Sequence, residues 1–246
     1  MPQHLTEWIA GEHLTAAALA RAREVFLDSP ARAVCLPHFL VAAVAESLAR
    51  FLASDASFGT GYGLKSRYGF ASKADFECAP AEERFFRYQG IRHVARESPD
   101  FETFQTMTRT LGDSAARRFF EEISSQPLGG VTLSARRMGH EDFMVRHNDA
   151  IGGRRLSFVM YLTPGWDPAY GGSLGLEHGD GQVTTVVPEY NTLVVFDAET
   201  WHWVEPFAPA LQERARLTIG GWFLKPDGTV RPVGLSGSTV GVTTLG

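Results

Sequence analysis

Leu156-Ser157-Phe158-Val159-Met160-Tyr161-Leu162-Thr163-Pro164-Gly165-Trp166 is an apolar and aromatic run, broken only by Ser157, that stops at Pro-Gly. That texture predicts a strand delivered into a tight turn. It recurs on both sides. Val131–Ala135 and Phe143–Arg146 precede it, and Ser173–Leu176, Val183–Val187, Thr192–Phe196, Trp201–Val204 and Leu217–Leu224 follow. Turn clusters separate the runs at Gly171-Gly172, Gly179-Asp180-Gly181 and Pro226-Asp227-Gly228. Short strands with such regular punctuation predict a mainly β architecture, a double-stranded β-helix or jelly roll.

The half before Val131 reads differently. Leu14–Phe26 is rich in helix formers and is stopped by Asp28-Ser29-Pro30. Ala33–Leu36 reads as a short strand. Leu40, Val44, Leu48 and Phe51 then mark one face of an amphipathic helix. Gly59, Gly61 and Gly63 lack the strand–turn–helix setting of a phosphate loop and read as a flexible loop. Residues 64–100 are polar, aromatic and irregular, and Phe101–Ser124 reads as helix. The expectation is one domain over 1–246: residues 1–128 as helical support and substrate loops, residues 129–230 as the jelly-roll core. The tail after Pro232 is expected to hold little fixed structure.

Composition excludes several classes. A formal charge of −5 over 246 residues, with no block of like charge, points away from nucleic acid. Cys35 and Cys78 sit far apart in unlike contexts and offer no disulfide framework or zinc-ribbon spacing. The N-terminus lacks a basic start followed by an apolar run, and no stretch of about 18 apolar residues suggests a membrane span. The chain reads as cytoplasmic; nothing in it sets an oligomeric state.

Chemistry concentrates in the β half. His147 and Asp149 are separated by one residue, so on an extended chain their side chains project to the same side. His202 follows 53 residues after Asp149, inside another β-like run. Two histidines and one carboxylate form the facial triad of non-haem Fe(II) oxygenases, which leaves three coordination positions open. His147 and Asp149 alone would fit a hydrogen-bonded surface turn better than a metal site. Downstream, Arg216, Thr218 and Gly220 share one face of a strand, with Leu217 and Ile219 on the other. An arginine turned into a barrel requires a partner, because an unpaired buried charge is costly. A carboxylate ligand fits it bidentately, and a structural ion pair at the barrel rim is the alternative.

These residues resemble the prolyl hydroxylase-like 2-oxoglutarate/Fe(II) dioxygenases. The resemblance is carried by His147-Asn148-Asp149, Arg154 to Asp167, Gly171 to Leu174, Asn191 to Phe196, His202-Trp203-Val204 and Arg216 to Phe223. It is similar above all to the catalytic domain of ribosomal prolyl hydroxylases and their short bacterial relatives. It is dense over residues 130–225, fainter over 14–54, and slight between 55 and 125. It implies that His147, Asp149 and His202 bind Fe(II), and that Arg216 pairs with the distal carboxylate of 2-oxoglutarate. Tyr161 stands where a family tyrosine donates a hydrogen bond to that carboxylate, though it also fits an ordinary strand tyrosine. One departure is Met138, near where the family often carries a tyrosine; methionine cannot donate that hydrogen bond. The second domain of the eukaryotic relatives finds no room in this length.

The resemblance further implies a hydroxylase that consumes dioxygen, with ascorbate as reductant. The substrate is expected to be a prolyl residue in a peptide or protein; the alternative is a free amino acid or small natural product. Asp149 argues against halogenation, since related halogenases lack that carboxylate. A non-catalytic jelly roll would not need Arg216 beside all three ligands, and a cupin-type zinc hydrolase would usually carry more histidines. Phe58–Tyr88 is where substrate-gating loops are expected. Trp166 and Trp222 read as core, and His140 and His178 as structural or solvated.

Overall fold

The structure is a computed structural model and describes residues 3–94, 98–211 and 214–227. The expectation for the tail after Pro232 lies outside the described residues. The strands are β1 (Ala33–Leu36), β2 (Ala56–Leu64), β3 (Gly69–Ala71), β4 (Arg84–Val94), β5 (Val131–Met138), β6 (Phe143–His147), β7 (Arg154–Tyr161), β8 (Leu174–Glu177), β9 (Val183–Val186), β10 (Thr192–Asp197), β11 (His202–Val204) and β12 (Arg216–Leu224). The helices are α1 (Ala16–Asp28), α2 (Ala42–Arg50), α3 (Lys73–Cys78), α4 (Pro99–Gly112) and α5 (Ser114–Ser124). All eight β runs expected after Val131 are strands.

The strands form one antiparallel sheet in the order β1-β10-β7-β12-β5-β4-β6-β11-β8-β9, with β2 on β4 and β3 on β2. That sheet curls. Tyr161 and Val194, from β7 and β10, pack with Leu174, Leu176 and Val186, from β8 and β9 at the far end of the order. Strands so distant in the sheet can touch only if its two halves face each other, which is the jelly roll.

Alternation along each strand sorts its side chains between the two faces. Leu156, Phe158 and Met160 of β7, Leu193 and Val195 of β10, and Leu217, Ile219 and Phe223 of β12 pack outward against the helices. Phe120 of α5 anchors that layer, its ring 4.6 Å from Phe223 and 5.6 Å from Phe158. Burying a phenylalanine of this kind contributes about 1.5–3 kcal/mol. Thr15 caps α1 by accepting from the Ala18 amide, and Ser98 caps α4 by accepting from the Phe101 amide. The helix expected over Phe101–Ser124 is two helices, because Asp113 is extended between them. No helix among the described residues is long and apolar enough to cross a membrane.

Residues 1–128 do more than the expected support, since they contribute β1, β2, β3 and β4 to the sheet. The flexible-loop reading of Gly59, Gly61 and Gly63 is corrected: all three lie in β2. Gly61 pairs with Tyr88, and Gly63 lies between Phe70 and Phe86 of its two neighbours. A Cβ at Gly61 would come within 3.0 Å of the Phe70 ring. Here glycine admits a ring onto the strand backbone instead of forming a turn.

Candidate metal centre and co-substrate pocket

His147 closes β6 and His202 opens β11, and the two are directly paired in the antiparallel register. That pairing sets their rings 4.1 Å apart between centroids. Asp149 lies two residues beyond β6, tethered by its amide to the Ala198 carbonyl at 2.8 Å. Its Oδ1 is 3.9 Å from His147 Nε2, and its Oδ2 is 3.5 Å from His202 Nε2. All three residues are buried, and one ligand atom of each lies within 4.8 Å of the others.

The donor set fits a divalent cation. His147 Nδ1 meets the Val145 carbonyl and His202 Nδ1 the Thr200 carbonyl, each at 2.9 Å. Both Nδ1 atoms therefore carry the proton, and both Nε2 lone pairs are turned toward the carboxylate. Burial, reinforced by His202, pushes His147 down to about 4 and keeps its imidazole neutral. Burial acts to raise Asp149, but His202, His147 and Arg154 outweigh it and hold the carboxyl at about 2. Two imidazoles and an anionic carboxylate with converging lone pairs are a ligand set for a ferrous ion.

Around these three, Ser157 donates to Asp149 Oδ2 at 2.8 Å, and Arg154 Nη1 reaches Oδ1 at 3.5 Å. Phe85 meets the His147 ring edge-on at 5.2 Å, and Phe196 meets His202 at 4.8 Å. Tyr68, at φ 44°, donates to the Asn148 carbonyl at 2.7 Å and covers the triad from the β2–β3 turn.

The triad opens on a cavity of about 160 Å³ whose wall includes Arg216, Thr218, Gly220 and Trp222 of β12. At about 10–15 Å³ for each water-sized group, this holds on the order of ten such groups, the scale of a five-carbon dicarboxylate. Arg216 is only 4% exposed. Its Nη2 donates to Tyr161 Oη at 3.2 Å, its Nη1 to Met138 Sδ at 3.5 Å, and its Nε is buried without a partner. No carboxylate among the described residues pairs with it. A buried guanidinium steered only by neutral groups, with one donor orphaned, is built to receive an anion.

All five residues expected from the sequence, His147, Asp149, His202, Arg216 and Tyr161, thus gather in one place. Tyr161 stands behind the Arg216 guanidinium, 4.9 Å from its carbon, rather than on the cavity wall. Met138 is an acceptor for Arg216, so the departure from the family pattern lies against that guanidinium. The sequence reading missed Ser157, although it shares the inward face of β7 with Tyr161. Trp222, expected in the core, lines the cavity and stacks under Arg154 at 3.7 Å. Arg154, at the start of β7, turns inward to Asp149. Tyr68, Phe70, Phe85, Phe86 and Tyr88 line the mouth, so the region expected to meet substrate does border the cavity, in part as strands. His178 contacts Thr184, and His140 is exposed, both away from the triad.

Residues 133–224 match the family model of the 2OG-Fe(II) oxygenase superfamily. Prolyl 3-hydroxylase OGFOD1 of Mus musculus is 32% identical over 108 residues, which cover 42% of this chain and 20% of that protein. The chain thus spans about a fifth of the length of this curated relative. A Pseudomonas putida prolyl-4-hydroxylase structure shares the fold with TM-score 0.58 at 24% identity, over 84% of this chain and 98% of its own. The non-heme alpha ketoglutarate dependent epimerase SnoN from nogalamycin biosynthesis does so with TM-score 0.56 at 15% identity, over 94% of this chain and 97% of its own. The stretch that matches this family model, residues 133–224, contains His147, Asp149, His202 and Arg216.

Proposed function

We propose that this protein is a 2-oxoglutarate-dependent Fe(II) dioxygenase of the cytoplasm that hydroxylates an unactivated C–H bond, with a prolyl residue of a peptide or protein as substrate. The observation that carries the reading is Arg216, buried without a carboxylate partner in the same cavity as a converging His-Asp-His set. When bound, iron and chelated 2-oxoglutarate supply the oxidising power, coupling decarboxylation to succinate with insertion of one oxygen atom from dioxygen.

The chain's own residues do the positioning. His147, Asp149 and His202 hold the metal, and Ser157 fixes the carboxylate that faces it. Arg216 pairs with the far carboxylate of the co-substrate, oriented by the Tyr161 hydroxyl and the Met138 thioether. Phe85, Phe196 and Tyr68 screen the triad from water. The prolyl assignment is supported by the similarity to the mouse prolyl 3-hydroxylase and by the fold shared with the Pseudomonas putida prolyl-4-hydroxylase. A second reading, a free amino acid or small natural product, is favoured by the surplus of arginine in the cavity.

Purified protein supplied with Fe(II), ascorbate and 2-oxoglutarate should release succinate slowly without substrate, and His202→Ala should release none. A proline-containing peptide, set against a panel of free amino acids, should then gain the mass of one oxygen. Succinate release by His202→Ala equal to that of the unaltered protein would refute the site.

A further inference from the structure

Charge is unevenly distributed over the cavity wall. It carries three guanidiniums, Arg136, Arg154 and Arg216, against a single carboxylate, Asp149. A ferrous ion and dianionic 2-oxoglutarate cancel each other, so the loaded site keeps a surplus of two positive charges. Arg216 is committed to the co-substrate, and Arg154 leans on Asp149 at 3.5 Å. Arg136 has no such role.

Arg136 projects from β5 opposite Thr218 of β12, two residues from Met138 and on the same face. Its guanidinium carbon lies 5.0 Å from the Tyr88 ring and 5.4 Å from the Trp222 ring. Trp222 also carries Arg154, so two like charges share one indole. Arg136 Nε is buried without a hydrogen-bond partner, and no carboxylate among the described residues pairs with this side chain. Ring faces attract a guanidinium and hold it flat, but they do not neutralise it. A planar anion does, through two parallel hydrogen bonds.

We propose that Arg136 is the anchor for an anionic group on the primary substrate, and that the molecule oxidised carries a carboxylate held beside Trp222 and Tyr88. The proposal deepens the dioxygenase reading and rests on it. Arg136 enters beside Thr218, two residues along β12 from Arg216, and turns its guanidinium away toward Trp222, six residues from Arg216. The co-substrate's far carboxylate therefore docks toward one end of the strand and the substrate's carboxylate toward the other. The carboxylate comes either from a free amino acid or small acid, or from the terminus of a peptide; the recognising chemistry is the same.

The test is calorimetric titration of matched pairs into protein loaded with 2-oxoglutarate and manganese in place of iron. One pair is L-proline and L-prolinamide; the other is a proline-ending peptide with a free carboxylate and its terminal amide. The acid of at least one pair should bind about 100-fold more tightly than its amide, the scale of one desolvated charge pair. The pair that binds tells a free acid from a peptide. Arg136→Gln should close the gap between acid and amide, and Arg136→Lys should keep part of it. Equal binding of acid and amide, or no binding by either acid, overturns the anchor. Thermal melting without ligands separates it from a packing role. Relieved of an unpaired charge, Arg136→Gln should melt no lower than the unaltered protein, whereas a residue kept for ring stacking would lower the midpoint. Succinate release by the unaltered protein decides the underlying reading separately. Release without acid preference removes the anchor alone; absence of release removes both.

Discussion

The two ends of β12 treat positive charge differently. At the Arg216 end the guanidinium is enclosed, and a phenol and a thioether steer it from fixed positions. At the Trp222 end two guanidiniums are partly buried and rest on aromatic faces; Arg154 is also directed by Asp149, whereas for Arg136 the rings fix a plane but not a direction. The enclosed end presents its donors in a fixed direction, with Nε left unpartnered. The aromatic end presents flat cations without that enclosure. A cavity can thus hold one ligand rigidly and select another loosely, with the same side-chain type at both ends.

Substitutions can break or sharpen that contrast. The largest effect is expected from Arg216→Met. Its KM for 2-oxoglutarate should rise about 100-fold or more, as for removal of one member of a buried charge pair. The same variant, freed of an uncompensated buried charge, should melt higher than the unaltered protein when no ligand is present. A KM within a factor of three of the original would show that the enclosed end does not bind the co-substrate. Next comes Ser157→Ala, which removes the hydrogen bond to Asp149 Oδ2. Iron affinity should fall about 10–100-fold by competition with a chelating dye, as for other groups that orient metal ligands. Tyr161→Phe is smaller. Loss of one neutral partner of Arg216, worth about 1 kcal/mol, should raise the co-substrate KM roughly fivefold and leave iron loading as it was. Smallest is Arg154→Lys, which keeps the charge near Asp149 but loses the flat stacking on Trp222. It should weaken substrate binding severalfold, read as a KM change at constant co-substrate KM.

The strands and the site were legible in the sequence to different depths. The β half was readable because strand alternation and turn chemistry are local: Leu156–Leu162, Thr192–Phe196 and Leu217–Leu224 each carry their own pattern. Residues 56–94 were not. Glycine at alternate positions normally signals a turn, and only the rings of Phe70 and Phe86, arriving from neighbouring strands, reveal that β2 is a strand. Trp222 was misread for a related reason. Its apolar strand suggests core, and its direction follows from the curl of the whole sheet.

What could be read locally was the inventory: two histidines, a carboxylate and an arginine, with both histidines and the arginine on predictable strand faces. Residue type and the two-residue period of a strand suffice for that. The tertiary structure decided which groups meet. His147 pairs with His202 across β6 and β11, Met138 lies against Arg216 across β5 and β12, and Arg136 and Arg154 converge on one indole. Those contacts depend on register and sheet curvature, which are set by packing over the whole chain and leave no local trace.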